Sequence, residues 1–169
     1  MPPAGPRVSL PSSPRTEPTG GAVGDVQEAN KALIRRWIAP ADDGSGPFLL
    51  TDAARDLLAE DAQWHLPPTT EIPGVAVDGV VHGRDAIHGI QQRAREIYDA
   101  PTIRTTLRNL LADGDWVTLQ YRMECRAANG NPYKQEYLFL FEVRDGLVTT
   151  IWDYYDTALV ERAVLTEGA

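Results

Sequence analysis

Cysteine occurs once in this chain, at Cys125, and lysine twice, at Lys31 and Lys134. A single cysteine cannot form an intramolecular disulfide, so an oxidising compartment is not indicated. Two lysines leave little scope for Schiff-base chemistry. Serine is confined to Ser9, Ser12, Ser13 and Ser45, and no G-x-S-x-G segment is present to expose one as a nucleophile. Neither a P-loop nor a G-x-G-x-x-G run follows any strand-like segment, so no glycine cradle for nucleotide phosphates is expected and no cofactor of that kind. The three histidines, His65, His82 and His88, lack H-E-x-x-H spacing, and no C-x-x-C pair accompanies them, so no metal centre is expected.

Positive charge is also scarce. Sixteen Lys and Arg stand against 24 Asp and Glu, a net charge of −8. With no basic stripe, phosphate backbones and anionic membranes would be repelled, and nucleic acid is not an expected partner. No run approaches the ~20 apolar residues of a membrane span. The opening MPPAGPRVSLPSSPRTEPTGG carries no apolar stretch of the roughly 7–15 residues that a secretory signal needs. A soluble, cytoplasmic protein is the expectation.

What is present is an ordinary globular composition, 43% hydrophobic and 24% charged, over 169 residues. That is enough chain for one domain with a real core. Residues 1–24, crowded with Pro, Gly, Ser and Thr, cannot bury enough apolar surface to offset ordering and are expected to be a disordered tail. Residues 25–169 are expected to form a single α+β domain.

Asp25, with Glu28 three positions on, predicts a helix start, and Val26, Ala29, Leu33 and Trp37 share one helical face before Pro40 ends it. Thr51 predicts the cap of a second short helix with Ala54, Leu57 and Leu58 inward. Residues 62–66 read as a short strand. The connection PPTTEIPGVAVDGVVHG has too much Pro and Gly for regular structure and could serve as a lid over a pocket mouth. A third helix is predicted over 84–98, with Ile87, Ile90, Ala94 and Ile97 inward. Four strand-like segments then follow, 103–111, 116–126, 133–143 and 147–155, separated by Asp113-Gly114, Asn129-Gly130 and Asp145-Gly146, which are hairpin signals. Asp156 is positioned to cap a terminal helix over 157–165. Helices first and a strand meander afterwards is an α+β order.

With nucleophile, cofactor and metal chemistry set aside, acid–base work by carboxylates, arginine, tyrosine and histidine remains. It suits cyclisation, isomerisation, dehydration or epoxide opening. On segment 116–126, Gln120, Arg122, Glu124 and Arg126 alternate with Val117, Leu119, Tyr121, Met123 and Cys125. The polar face is either a solvated exterior with cross-strand ion pairs or a cavity lining that contains Arg122 and Glu124. Asp153, within TTIWDYYD, would be desolvated and hold its proton if it points inward. His65 alternates with Trp64 and Leu66 and points either to solvent or into the cavity. Trp64, Tyr137, Phe139 and Tyr155 are candidate walls for a substrate.

The run YLFLFEVRDGLVTTIWDYYDT, the helix-first layout and the connection VHGRDAI resemble the nuclear-transport-factor-2-like superfamily and its bacterial SnoaL-like members, over residues 25–165. The resemblance implies a cone-shaped α+β fold, a curved antiparallel sheet wrapped around N-terminal helices and enclosing a pocket, usually in a homodimer. The superfamily includes ketosteroid isomerases, polyketide cyclases, phenazine-biosynthesis proteins and non-catalytic binders. A hydrophobic small molecule of polyketide or terpenoid kind is the partner it implies. Locally, Arg122-Met123-Glu124 and Asp153 in IWDYYD are similar to the Arg-x-Asp and W-x-D-Y-F-D elements of limonene-1,2-epoxide hydrolase, with Glu in place of Asp. That likeness implies that Asp153 and Glu124 share acid and base roles and that Arg122 orients them. The water-holding Tyr and Asn of that family correspond here to Trp64 and Leu66, a departure that favours an internal nucleophile, with His65 as a substitute water holder.

Overall fold

The computed structural model describes residues 20–41, 46–67 and 79–165. Its frame is a six-stranded, curved, unclosed sheet in the order β2-β1-β6-β5-β4-β3, with β1 Leu58–His65, β2 Val80–His82, β3 Arg104–Asp113, β4 Trp116–Arg126, β5 Pro132–Arg144 and β6 Leu147–Tyr154. Helices α1 Gly20–Trp37 and α2 Arg84–Ile97 precede the meander, and α3 Thr157–Val160 follows it. The α+β order and the cone-like sheet agree with expectation.

The hairpin from β5 to β6 shows why the turn residues matter. Asp145 and Gly146 both adopt positive φ, 51° and 75°. A two-residue turn of that hand matches the right-handed twist of the flanking strands, and glycine takes up the conformation without a Cβ clash. Every strand pair is antiparallel except one: β1 runs parallel to β6, with Trp64 opposite Ile151 and His65 opposite Trp152. The sheet is therefore mixed, because β1 enters from the helical half of the chain instead of from a hairpin.

Alternation along the strands divides the two faces. Val117, Leu119, Tyr121 and Met123 of β4 and Tyr133, Tyr137, Phe139 and Phe141 of β5 are buried on the concave side. Helix α1 lies over that side. Trp37 meets Phe141 edge-on at 5.5 Å, Asn30 Nδ2 donates to the Gly114 carbonyl at 3.2 Å, and Thr105 Oγ1 donates to the Ile38 carbonyl at 2.9 Å.

Several expected details shift. Helix α1 starts ahead of Asp25, which is an internal helical residue instead of a cap. Its buried stripe is Asn30, Ile34, Trp37 and Ile38, whereas Val26 is exposed. The face is rotated because the sheet contacts the helix along the line of Ile34 and Trp37, and Val26 lies beyond the reach of that contact. The second short helix is a 3-10 turn over Asp52–Leu57, with Ala54, Leu57 and Leu58 buried as expected. In α2 the buried positions are Ile87 and Gln91, while Ile97 is exposed. Strand β2 forms at the end of the connection expected to be irregular. The rest of the expected lid falls on residues 68–78, outside the described residues, as do residues 1–19 of the expected tail. Asp156 caps α3, accepting from the Leu159 amide at 3.1 Å. Among the described residues no helix is long and apolar enough to cross a membrane.

Candidate active site

Asp153 sits on β6 opposite Phe139 of β5, on the concave face, and is 4% exposed. Its position follows from strand alternation: Ile151 and Asp153 face the core, and Trp152 and Tyr154 face outward. Burial in apolar surroundings pushes its carboxyl well above the ordinary value of 3.8, which favours the protonated acid. The Trp64 indole N–H, the donor from β1, pulls weakly toward the charged form, but it does not reach hydrogen-bond geometry. Neither Trp64 Nε1 nor Asp153 Oδ1 has a hydrogen-bond partner among the described residues.

Four tyrosines gather around this acid. Tyr133 and Tyr137, four residues apart on β5, share the concave face, and their hydroxyls are hydrogen-bonded at 2.8 Å. Tyr98, just past the end of α2, brings its ring to 5.0 Å from that of Tyr133. Burial raises the hydroxyl pKa of Tyr98, Tyr121, Tyr133 and Tyr137, and Asp153, when ionised, adds to the rise at Tyr98 and Tyr121. All four stay neutral donors at physiological pH. Tyr121, Tyr137 and Phe139 are stacked, with Tyr121 and Tyr137 at 5.2 Å and 11°. Trp64 reaches Phe139 at 6.5 Å, and Tyr155 reaches Tyr137 at 5.5 Å. The expected wall residues Trp64, Tyr137, Phe139 and Tyr155 thus lie together beside Asp153.

Arg122, Glu124 and His65 do not join them. Arg122 registers with Glu136 on the opposite face and donates to its Oε1 at 2.5 Å, with Arg108 Nε 3.7 Å from the same oxygen. Glu124 pairs with Lys134 at 2.7 Å, an exposed contact whose ammonium holds the carboxyl below its ordinary value. Strand parity forces this separation, since side chains next to Tyr121 and Met123 must leave the sheet on the other side. The solvated-exterior reading of this face is the correct one, and a bridged Asp153–Arg122–Glu124 constellation is not formed. His65 is also on the outer face, stacked on Trp152 at 4.8 Å and 4°, and burial followed by His82 lowers its pKa.

Sequence reasoning passed over Tyr98, Tyr133 and Gln91. The signal was available for Tyr133, which has the same strand parity as Tyr137 and Phe139. It was absent for Gln91, a polar residue where the helical pattern favours an apolar one. Cys125 is half-buried, its thiol pushed up to about 11 by burial and then by Asp99, as befits a structural thiol. No group of three or more His, Cys, Asp and Glu side chains that could hold a metal ion occurs among the described residues.

A curved, unclosed six-stranded sheet with helices over its concave face is the nuclear-transport-factor-2-like cone, here with a buried carboxyl among phenols. The chain belongs to the SnoaL-like domain family, which it matches over residues 34–151. No curated protein sequence matches it significantly. Among solved structures it is similar to a protein provisionally described as a SnoaL-like polyketide cyclase from Jannaschia sp. CCS1. That pair is 17% identical over 85% of this chain and 96% of the other, with a TM-score of 0.65. A nuclear-transport-factor-2-like protein of unknown function from Burkholderia pseudomallei K96243 is similar at 18% identity over 82% and 98%, with a TM-score of 0.67. A protein of ketosteroid isomerase-like fold from Catenulispora acidiphila DSM 44928, in complex with trimethylamine, matches at 19% identity over 78% and 91%, with a TM-score of 0.59. These likenesses establish the fold.

Proposed function

We propose that the chain is a cofactor-independent acid–base enzyme of secondary metabolism, an isomerase or cyclase acting on a hydrophobic small molecule of polyketide or terpenoid kind, with Asp153 as the acid. The observation that carries this reading is a buried carboxyl with an unpartnered oxygen, kept neutral by an aromatic surface. Such an acid protonates a carbonyl or leaving oxygen at neutral pH, and its conjugate base then removes a proton from carbon. The phenols of Tyr98, Tyr133 and Tyr137 supply neutral donors to an oxygen on which negative charge develops. Ring faces of Tyr121 and Phe139 bind the apolar remainder. Arg122, Glu124 and His65 are outside this scheme, and without them the water-activating set of an epoxide hydrolase is not assembled.

The partner on the outer face is a second copy of the chain. Trp116, Leu138, Tyr154 and Leu111 are exposed there around Trp152 and His65, beside alternating Arg and Glu side chains. Exposed apolar side chains clustered on one sheet face favour burial against a like surface.

The test is proton exchange in deuterated water, followed by NMR, at the carbon next to the carbonyl in a panel of ring-fused ketones. Wild type should exchange above background, and Asp153→Asn should lose that exchange while remaining folded. Equal exchange by the variant, or none by wild type across the panel, removes the assignment.

A further inference from the structure

Gln91 is 1% exposed, yet neither Oε1 nor Nε2 of its amide has a hydrogen-bond partner among the described residues. Interior amides are almost always paired within the fold, because an unpaired one forfeits the hydrogen bonds it made with water. Gln91 lies on the same helical face as Ile87, one turn earlier, and Tyr98 follows just past the helix end. Ile87 is wholly buried. Tyr98 packs on Tyr133, and its hydroxyl interacts with those of Tyr133 and Tyr137 and lies within electrostatic range of Asp153. That stripe of α2 therefore faces the concave surface from which Asp153 projects.

Besides the Gln91 amide of α2, Asp153 Oδ1 of β6 and Trp64 Nε1 of β1 are buried without a partner among the described residues, as are Arg84 Nε and His88 Nδ1 of α2. A single orphan could reflect local packing. Both ends of the Gln91 amide are unpaired, on the helix face that packs toward the concave side, where Asp153 Oδ1 is also unpaired.

We propose that Gln91 is a specificity-determining residue of this site, binding a neutral ligand that carries a hydroxyl and a carbonyl on an apolar ring framework. This rests on the reading of Asp153 as the acid of the site. The amide offers both a donor and an acceptor, so it selects a group that can accept and give, such as an enol or phenol. The Asp153 acid and the Trp64 indole offer donors, which suits a carbonyl oxygen. Asp153 offers no positive charge, so an anionic ligand beside it would pay its desolvation without a counter-charge from that group.

Acetylnaphthol, ethylnaphthalene and hydroxynaphthoate are suitable probes: the same ring framework with both polar groups, with neither, and with an anion. Calorimetric or fluorescence titration of wild type should show acetylnaphthol binding at least about tenfold more tightly than either of the others. Gln91→Leu, and Gln91→Met as a second near-isosteric variant, should lose about tenfold for acetylnaphthol while binding ethylnaphthalene as wild type does. Both variants should melt at or above the wild-type temperature, because an unpaired buried amide is removed.

Wild type that fails to discriminate among the probes overturns the proposal, as do variants that retain the discrimination. So does a melting temperature lowered by several degrees in both variants, since the amide would then be paired within the fold. Binding is read without turnover, so Gln91-dependent discrimination in a protein that exchanges no substrate proton would leave this proposal standing and remove the acid–base reading. Proton exchange with no dependence on Gln91 would do the reverse.

Discussion

Arg122 and Asp153 project from opposite faces of one sheet: Arg122 registers with Glu136 on the outer side, and Asp153 with Phe139 on the inner. Arg122→Ala should therefore cost only what a partly exposed ion pair contributes, about 0.2–1 kcal/mol by urea unfolding, and leave proton exchange untouched. A loss of exchange in the folded variant would place the guanidinium at the chemistry after all.

The buried acid gives stability a pH dependence with a defined sign. The folded-state pKa of Asp153 lies well above the ordinary 3.8, so as pH rises past that value the unfolded chain releases a proton that the folded chain retains. Stability is full below the unfolded pKa and declines toward the folded pKa, by up to about 1.4 kcal/mol per pH unit. Asp153→Asn should remove this slope, so the variant gains on wild type as pH is raised from about 4 to 8. Parallel curves in thermal melts would show that the carboxyl is not held neutral.

Tyr133 and Tyr137 satisfy each other inside the cone at 2.8 Å. Tyr137→Phe leaves the Tyr133 hydroxyl without that partner and should destabilise by about 1–2 kcal/mol. The double Phe variant should cost less than the sum of the two singles, with a coupling of about 1 kcal/mol. Strict additivity would mean that the contact between the two hydroxyls contributes nothing of its own.

His65 carries the opposite pH sign to Asp153. Its folded pKa is below the ordinary 6.5, so stability is present above 6.5 and is lost as pH falls and the unfolded chain takes up the proton first. His65→Asn should flatten the acid limb just below that value. An unchanged acid limb would show that burial against Trp152 does not disfavour the imidazolium.

Leu138, on the outer face between Gln120 and Tyr154, tests the proposed second copy. Light scattering should give the mass of a dimer for wild type, and Leu138→Asp should give a folded monomer. A monomeric wild type would leave the outer apolar cluster as ordinary exposed surface.

Much of this was legible in the chain. The three hairpin turns, the alternation of β4 and β5 and the cap at Asp156 are local signals, each set by a few neighbouring residues, and each is in place. Asp153 could be singled out because its apolar flanks predict burial wherever the strand ends up. The misreadings concern rotation and partners. Alternation puts Arg122 and Glu124 on one face but does not say which face is inside, and helical spacing grouped Val26 with Trp37, whereas Ile34 is the residue buried beside Trp37 and Val26 is exposed.

The sequence by itself determined the α+β order, the strand boundaries near each Asp-Gly or Asn-Gly turn, and the exclusion of disulfide and serine-nucleophile chemistry, because these depend on residue type and short-range spacing. Only the tertiary structure decided that β1 lies parallel to β6, that Trp64 faces Asp153 while His65 stacks outside on Trp152, and that Gln91 is buried without a partner among the described residues. The physical reason is that the inside of a curved sheet is defined by where the helices dock. Docking is set by the summed burial of many residues far apart in the chain, which no local pattern encodes.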